Sequence, residues 1–260
     1  MVAVQDVAAI NFIAASKPLK EALKSANLLK SLKFNTLISG EIGTGRHTLA
    51  RVIIPDAPII KGEDSELYTY IENSNELIVD GIEKIELLSK FFQAVQKFKT
   101  HIVAISYMSD VSSEYQSFFS VNIVLPPLHE RPEDIEPLAK KFFEEACQLF
   151  GCKIPDNFDL DIGILDISQN AISLRKSVYL YCLSLQIGLN DILNLNETYL
   201  LRRMEEESGD IYRNELLLFE VPLIRAGMKK FKSQLKMSQA FGLNRNTLRK
   251  KINEWKDYLE

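Results

Sequence analysis

Residues 40–47 read Gly40-Glu41-Ile42-Gly43-Thr44-Gly45-Arg46-His47, two glycines five positions apart and then a cation. That is phosphate-binding spacing. Glycines let successive backbone N–H groups curl around phosphate oxygens, and a helix opening directly behind them adds its partial positive charge. In the standard loop a lysine then reaches the β- and γ-phosphates and a hydroxyl holds Mg²⁺. Arg46 stands in the lysine position here. It keeps the charge, but its planar fork is bulkier than an ammonium and not equivalent to it. Asp80 closes an apolar run 34 positions later, where a strand-end carboxylate belongs. Alone, Asp80 reads as a structural residue or a residual metal contact rather than a catalyst. The nucleotide-binding candidates are therefore Gly40, Glu41, Gly43, Thr44, Gly45, Arg46, His47 and Asp80, with ATP or ADP as ligand. An ordinary strand–turn–helix connection is the bland alternative.

The other chemistry lies at the far end. Between Arg225 and Lys256 stand ten basic residues and one acidic residue, Glu254, a net of +9. The whole chain carries −4, so the remainder carries −13. An acidic body with a basic end points to a polyanionic partner. The segment 244–255 opens on Asn244, a good helix N-cap. Helical spacing turns Leu248, Ile252 and Trp255 inward and leaves Arg245, Asn246, Thr247, Arg249, Lys250 and Lys251 on the outer faces. With Asn244 these are the candidate contacts to double-stranded DNA. A merely solvated basic helix is the alternative.

These residues need elements to hold them. A helix is expected over 17–33, then a short strand over 34–39 that runs into the glycine loop. A second helix begins near His47 and stops before Pro55. Apolar runs at 57–61, 76–80, 101–106 and 121–125 read as strands, with one helix over 82–99 between them. Alternating strands and helices imply an α/β fold, a mostly parallel sheet covered by helices. After Pro126-Pro127 no strand pattern appears. Helices are expected over 133–150, closed by Gly151, and over 157–167, 171–187 and 196–207. The polar stretch 205–209 is a candidate linker. A last helical unit follows: 214–231, then 235–242 ended by Gly242, then 244–255.

Composition narrows the classes. Apolar residues make up 46% and charged residues 25%, which excludes a disordered, collagen-like or low-complexity chain. No stretch is long and apolar enough to span a bilayer, and residues 1–17 lack the basic start of a secretory signal. Cys147, Cys152 and Cys182 form no C-x-x-C pair, and His47, His101 and His129 are widely spaced. No metal site, disulfide framework or nucleophile–base set is expected, and a reducing cytoplasm fits.

Three segments together resemble the bacterial sigma-54-dependent activators, whose core is an AAA+ ATPase. They are 37–51 around the glycine loop; Leu125-Pro126-Pro127-Leu128-His129-Glu130-Arg131-Pro132-Glu133-Asp134-Ile135, which in that family leads from sheet to helical lid; and the C-terminus. The C-terminal segment 242–251, Gly-Leu-Asn-Arg-Asn-Thr-Leu-Arg-Lys-Lys, is similar to the recognition segment of Fis-type DNA-binding domains. That resemblance implies base or phosphate contacts from Asn244, Arg245, Thr247 and Lys250, and dimerisation through 214–231 and residues upstream. It further implies three parts: an AAA+ α/β subdomain over 1–130, a helical lid over 131–209 and a Fis-type helix-turn-helix over 210–260.

Against the family pattern several hydrolytic positions differ. The water-orienting Glu beside Asp80 aligns with Gly81, the polar Asn of the next strand with Tyr107, and the lid's nucleotide-sensing Arg with Ile172. The arginine-finger stretch, 112–120, contains no Arg. No Gly-Ala-Phe-Thr-Gly-Ala sigma-contact motif lies between Arg46 and Asp80. The helix over 17–33 already resembles the start of the family's core, without the usual sensor domain. The expectation is a shortened DNA-binding regulator with no catalytic residues. The alternatives are an ATPase that works with a partner and an inert-core protein that docks on another regulator.

Overall fold

The computed structural model describes residues 12–108, 113–151, 165–206, 209–231 and 233–259. Cys152, Lys232 and most of the helix expected over 157–167 lie outside the described residues, as do 207 and 208 of the candidate linker. The chain divides into two compact units, 1–186 and 187–260. The second begins before the boundary expected at 209.

In the first unit the elements run α1 (Lys17–Leu32), β1 (Thr36–Gly40), α2 (Arg46–Ile53), β2 (Ile59–Lys61), α3 (Leu67–Asn73) and β3 (Glu76–Asp80). A 3₁₀ turn (Ile82–Lys84) precedes α4 (Leu88–Phe98), β4 (His101–Ser106), α5 (Ser113–Phe118) and β5 (Val121–Leu125). The strands form one sheet in the order β2-β3-β4-β1-β5, every pair parallel. Both faces are covered, so the strands are apolar on both sides. Ile38, Ile78, Val103 and Ile105 pack with Leu19, Ala26, Leu49 and Ile53 of α1 and α2. Their strand neighbours Leu37, Leu77, Val79, Ile102 and Ala104 pack on the opposite face with Ile71, Phe91 and Val95 of α3 and α4. Period-two alternation along the apolar stretches of these three strands makes both layers at once.

The helix expected over 82–99 is two elements. Gly81 takes a left-handed conformation (φ +74°), and Ile85 leaves the helical path while staying buried beside Ile82 in the second layer. Helices α3 and α5 were not legible in the sequence pattern. Beyond β5, two 3₁₀ turns (Leu128–Glu130 and Pro132–Asp134) lead into α6 (Ile135–Phe150), closed by left-handed Gly151, and α7 (Ala171–Ser184) follows. These two helices bury Phe142, Phe143, Leu174 and Val178 in a core of their own.

The motif at 125–135 has a structural role. Arg131 is buried and donates to Pro126 O (3.0 Å), Thr44 O (2.9 Å) and Asp134 Oδ2 (3.3 Å). Asp134, fully buried, accepts from the amides of Ala15 and Ser16 and from the Ser16 hydroxyl. Burial alone would raise the Asp134 carboxyl, but those donors and Arg131 outweigh it and hold its pKa below the ordinary value. One ion pair thus ties the start of α1, the end of β5 and the glycine loop together.

The second unit contains α8 (Leu189–Glu206), α9 (Ile211–Asn214), α10 (Leu217–Phe231), α11 (Gln234–Ala240), α12 (Arg245–Glu254) and α13 (Lys256–Leu259). Gly227 lets α10 and α11 approach closely, since a Cβ there would sit 2.5 Å from the Phe241 ring and 2.6 Å from Met237 Sδ. No helix among the described residues is long and apolar enough to cross a membrane.

Candidate functional site

The glycine loop lies at the carboxyl edge of the sheet, where β1, β3 and β4 end at Gly40, Asp80 and Ser106. Open parallel sheets bind ligands beyond this edge. Gly43 has φ +83°, and a Cβ on it would lie 2.5 Å from Gln169 O, so glycine is required on two counts. The loop is fastened from behind. Asn170 Nδ2 donates to Glu41 Oε2 (3.0 Å) and Ile42 O (2.9 Å), and Ala171 N donates to Gly43 O (3.1 Å). Thr44 is buried, with its hydroxyl on Glu41 O at 2.8 Å. The loop is therefore preformed, and the first-turn amides of α2 open beside it with no helical partners of their own.

The charged candidates meet one another. The Arg46 guanidinium is buried, donates to Ser106 O and lies 4.1 Å from the centroid of the Tyr107 ring. Burial lowers its pKa, opposed by Tyr107, Asp80 and Glu83. Tyr107 Oη donates to Asp80 Oδ1 at 2.9 Å, while His47 Nε2 stands 3.1 Å from Asp80 Oδ2. Burial, together with the Asp80 carboxylate, pushes the Tyr107 phenol up to about 12. Tyr107 N donates to Glu83 Oε1 at 3.2 Å, and the other Glu83 oxygen is buried with no partner among the described residues. Tyr107 and Glu83 were not candidates from sequence. The signal for Tyr107 was its position directly after β4, level with the carboxyl end of β3.

A cavity of about 750 Å³ opens beside the loop, lined by Gly43, Gly45, Arg46, His47, Tyr107, Ile172 and by Lys141, Glu145, Arg175 and Lys176. It has the size of a small-molecule site. The cations of α6 and α7 escaped the sequence reading. Ile172 does face the cavity, and Arg175 and Lys176, three and four positions on, share its helical face. Arg175 Nη2 sits 3.0 Å from Glu145 Oε2 and 2.9 Å from Tyr179 Oη. A smaller, more apolar cavity of about 100 Å³ adjoins it, lined by Phe12, Ile13, Leu138 and Phe142.

In the second unit, α11 and α12 are joined by a turn over 241–244. Gly242 takes φ +66°, and Leu243 N donates to Ser238 O at 2.9 Å. Asn244 caps α12, its Oδ1 accepting from Thr247 N (2.8 Å) and Thr247 Oγ1 (3.0 Å). Leu248 is buried, whereas Asn244, Arg245, Asn246, Arg249 and Lys250 are exposed and Thr247 is half-buried. Lys251 corrects the expectation. Rather than standing on the outer face, it is half-buried and paired with Glu220 of α10. Trp255 Nε1 donates to the other Glu220 oxygen at 2.7 Å, so Trp255 is tied by its polar edge as well as its ring. Burial would raise the Glu220 carboxyl, but Lys251 and Trp255 outweigh it and hold its pKa down.

No family model matches the chain. It is 24% identical to the HTH-type transcriptional regulatory protein TyrR of Haemophilus influenzae, over 94% of both chains. It is 23% identical to a limonene hydroxylase of Geobacillus stearothermophilus, over 91% of this chain and 55% of that one. Among solved structures it is similar to NtrX from Brucella abortus in complex with ADP, at TM-score 0.58 and 13% identity, over 94% of this chain and 69% of that one. The ATP complex of NtrX gives TM-score 0.55 over the same shares. The chain therefore shares the fold of NtrX and is similar in sequence to a transcriptional regulatory protein over nearly its whole length.

Gly81, which aligns with the water-orienting Glu of the resemblance, has a left-handed backbone that disfavours any side chain. The position aligned with the lid's sensing Arg is Ile172, half in the cavity and about half exposed.

Proposed function

We propose that this chain is a cytoplasmic transcriptional regulator that binds double-stranded DNA as a homodimer. In this reading its AAA+ core holds ATP or ADP without hydrolysing it. The carrying observation is the face of α12. Arg245, Asn246, Arg249 and Lys250 are all exposed, with Asn246 and Lys250 on the side opposite buried Leu248 and the two arginines along its flank. Such a face matches a recognition helix in the major groove, with Asn244 and Thr247 at its groove-facing start. We assign 1–130 to the α/β subdomain, 131–186 to the lid and 210–260 to the DNA-binding helices, with α8 of the same second unit leading into them. The regulator TyrR supports this reading more than the hydroxylase does, because its likeness extends over nearly the whole of both chains.

The dimer reading rests on α8, none of whose side chains is buried. Leu189, Ile192, Leu193, Leu201 and Met204 are each more than half exposed and recur at helical spacing. So many exposed apolar side chains on one unburied helix mark an interaction surface. Another regulator in place of a second copy is the competing occupant, and light scattering of the purified protein separates the two.

Phosphoryl transfer needs groups that orient water and stabilise the charge of the transition state. Gly81, Ile172 and the Arg-free stretch 112–120 offer none of the family's. The protein therefore acts at promoters by occupancy and, with no sigma-contact motif, does not open sigma-54 promoters by itself. Two measurements test the reading. ATP turnover should equal that of a variant changed at both Gly45 and Arg46. Binding of the full chain to genomic fragments should weaken steeply with salt, as phosphate contacts require. A folded dimer with no salt-sensitive DNA affinity sinks the DNA reading, and turnover lost in the double variant sinks the non-hydrolytic one.

A further inference from the structure

A phosphate loop ordinarily works with a divalent cation, held by the hydroxyl that follows the loop's cation and by a strand-end Asp. The residues at those two places do not fit one here. The hydroxyl position is His47, and its Nε2 is 3.1 Å from Asp80 Oδ2. The imidazole thus stands against the carboxylate where the loop's hydroxyl would reach the ion, and a separation of 3.1 Å leaves no room between them for a hydrated one. The second oxygen, Oδ1, accepts from Tyr107 Oη at 2.9 Å. The Asp80 side chain is 16% exposed, leaving little solvent access for a hydrated cation, and the Arg46 charge stands over the same Tyr107 ring. A Mg²⁺ ion demands near-ideal octahedral oxygen coordination and gives up its waters reluctantly.

We propose that the His47–Asp80–Tyr107 set occupies the divalent-cation position, and that the pocket takes a nucleoside di- or triphosphate as the metal-free anion. The proposal rests on the nucleotide reading of the loop given above. The neutralising charge that magnesium would bring comes instead from the cations lining the cavity, Lys141, Lys176 and Arg175, the last shared with Glu145, and from the loop amides of Gly43 and Gly45. The ligand's phosphates then lie between the glycine loop and α7 rather than over the ends of β3 and β4.

The test is nucleotide affinity with and without metal. ADP and ATP are titrated calorimetrically into the full-length protein in EDTA and again in excess magnesium chloride. Affinity in EDTA should equal or exceed affinity in magnesium. The double variant H47T/Y107N, which restores the hydroxyl and frees Asp80, should instead bind more tightly with magnesium. As a check independent of that variant's folding, Mn²⁺ electron paramagnetic resonance should show the same spectrum for Mn²⁺–ADP with and without protein. A tenfold or greater tightening of wild-type binding by magnesium, about 1.4 kcal/mol, overturns the proposal while leaving the nucleotide reading intact, and so does a protein-broadened Mn²⁺ signal. No binding of either nucleotide under either condition overturns both, and the DNA reading is judged separately from its own salt titration.

Discussion

The back of the glycine loop and the exposed face of α12 handle charge in opposite ways. Around the glycine loop the ionised groups are consumed inside the protein. Arg46 is satisfied by Ser106 O and Tyr107, Asp80 by Tyr107 and His47, and Arg131 by Asp134 and two carbonyls. On α12, Arg245, Arg249 and Lys250 reach water. A buried cation with several fixed partners holds a shape, while an exposed one with none among the described residues is available to something else. The same residue type, Arg, therefore reports on fold at 131 and on partner at 245.

Replacing Arg131 by Ala should give the largest effect. It strands Asp134 as a buried charge and opens the bond to Thr44 O, costing about 3–5 kcal/mol of stability. Urea unfolding measures this, and a loss no greater than that of R245A would erase the contrast between the two regions. R245A should barely move stability, within about 0.5 kcal/mol. It should instead weaken binding to the preferred DNA site by about 1–3 kcal/mol and blur its sequence preference. Fluorescence anisotropy on cognate and scrambled duplexes separates the two effects.

Acid should strike the core and the C-terminal unit through Asp134 and Glu220. Both are depressed in the folded protein. Each therefore contributes stability that is full above its unfolded pKa, about 3.9 for Asp and 4.3 for Glu, and is lost as pH falls through the lower folded value. The stability–pH curve should fall below about pH 4, and D134N should flatten that limb. An unchanged limb would mean the Asp134 cluster is not held as described. The smallest effect separates two neighbours on one helix. K250A should lower the salt slope of DNA binding by about one unit. K251A should leave that slope unchanged and cost fold stability, because its partner is Glu220.

Those neighbours show where the sequence was legible. The strands at 76–80, 101–106 and 121–125 were readable to the residue, because each is a short apolar run closed by a change of character. The turn at 40–45 was readable because glycines so spaced, after a strand and before a helix, mark a tight connection. What failed was reading a helix without its neighbour. Lys251 looks outward until Glu220 is brought against it by α10. Ile172 looks like a lost sensing residue until the helical turn places Arg175 and Lys176 beside the same cavity. Tyr107 was visible only as a substitution, since nothing local says that its hydroxyl will reach Asp80, 27 residues away.

The Arg131–Asp134 pair also sets an order of events during synthesis. The Ser16 amide waits for a carboxylate 118 residues further on, and Thr44 O waits for a guanidinium 87 residues further on. A domain emerges from the ribosome N-terminus first, at about 5–20 residues per second, and contacts this distant in sequence close late. The glycine loop, made well before the residues that fasten it, sets only after they have emerged.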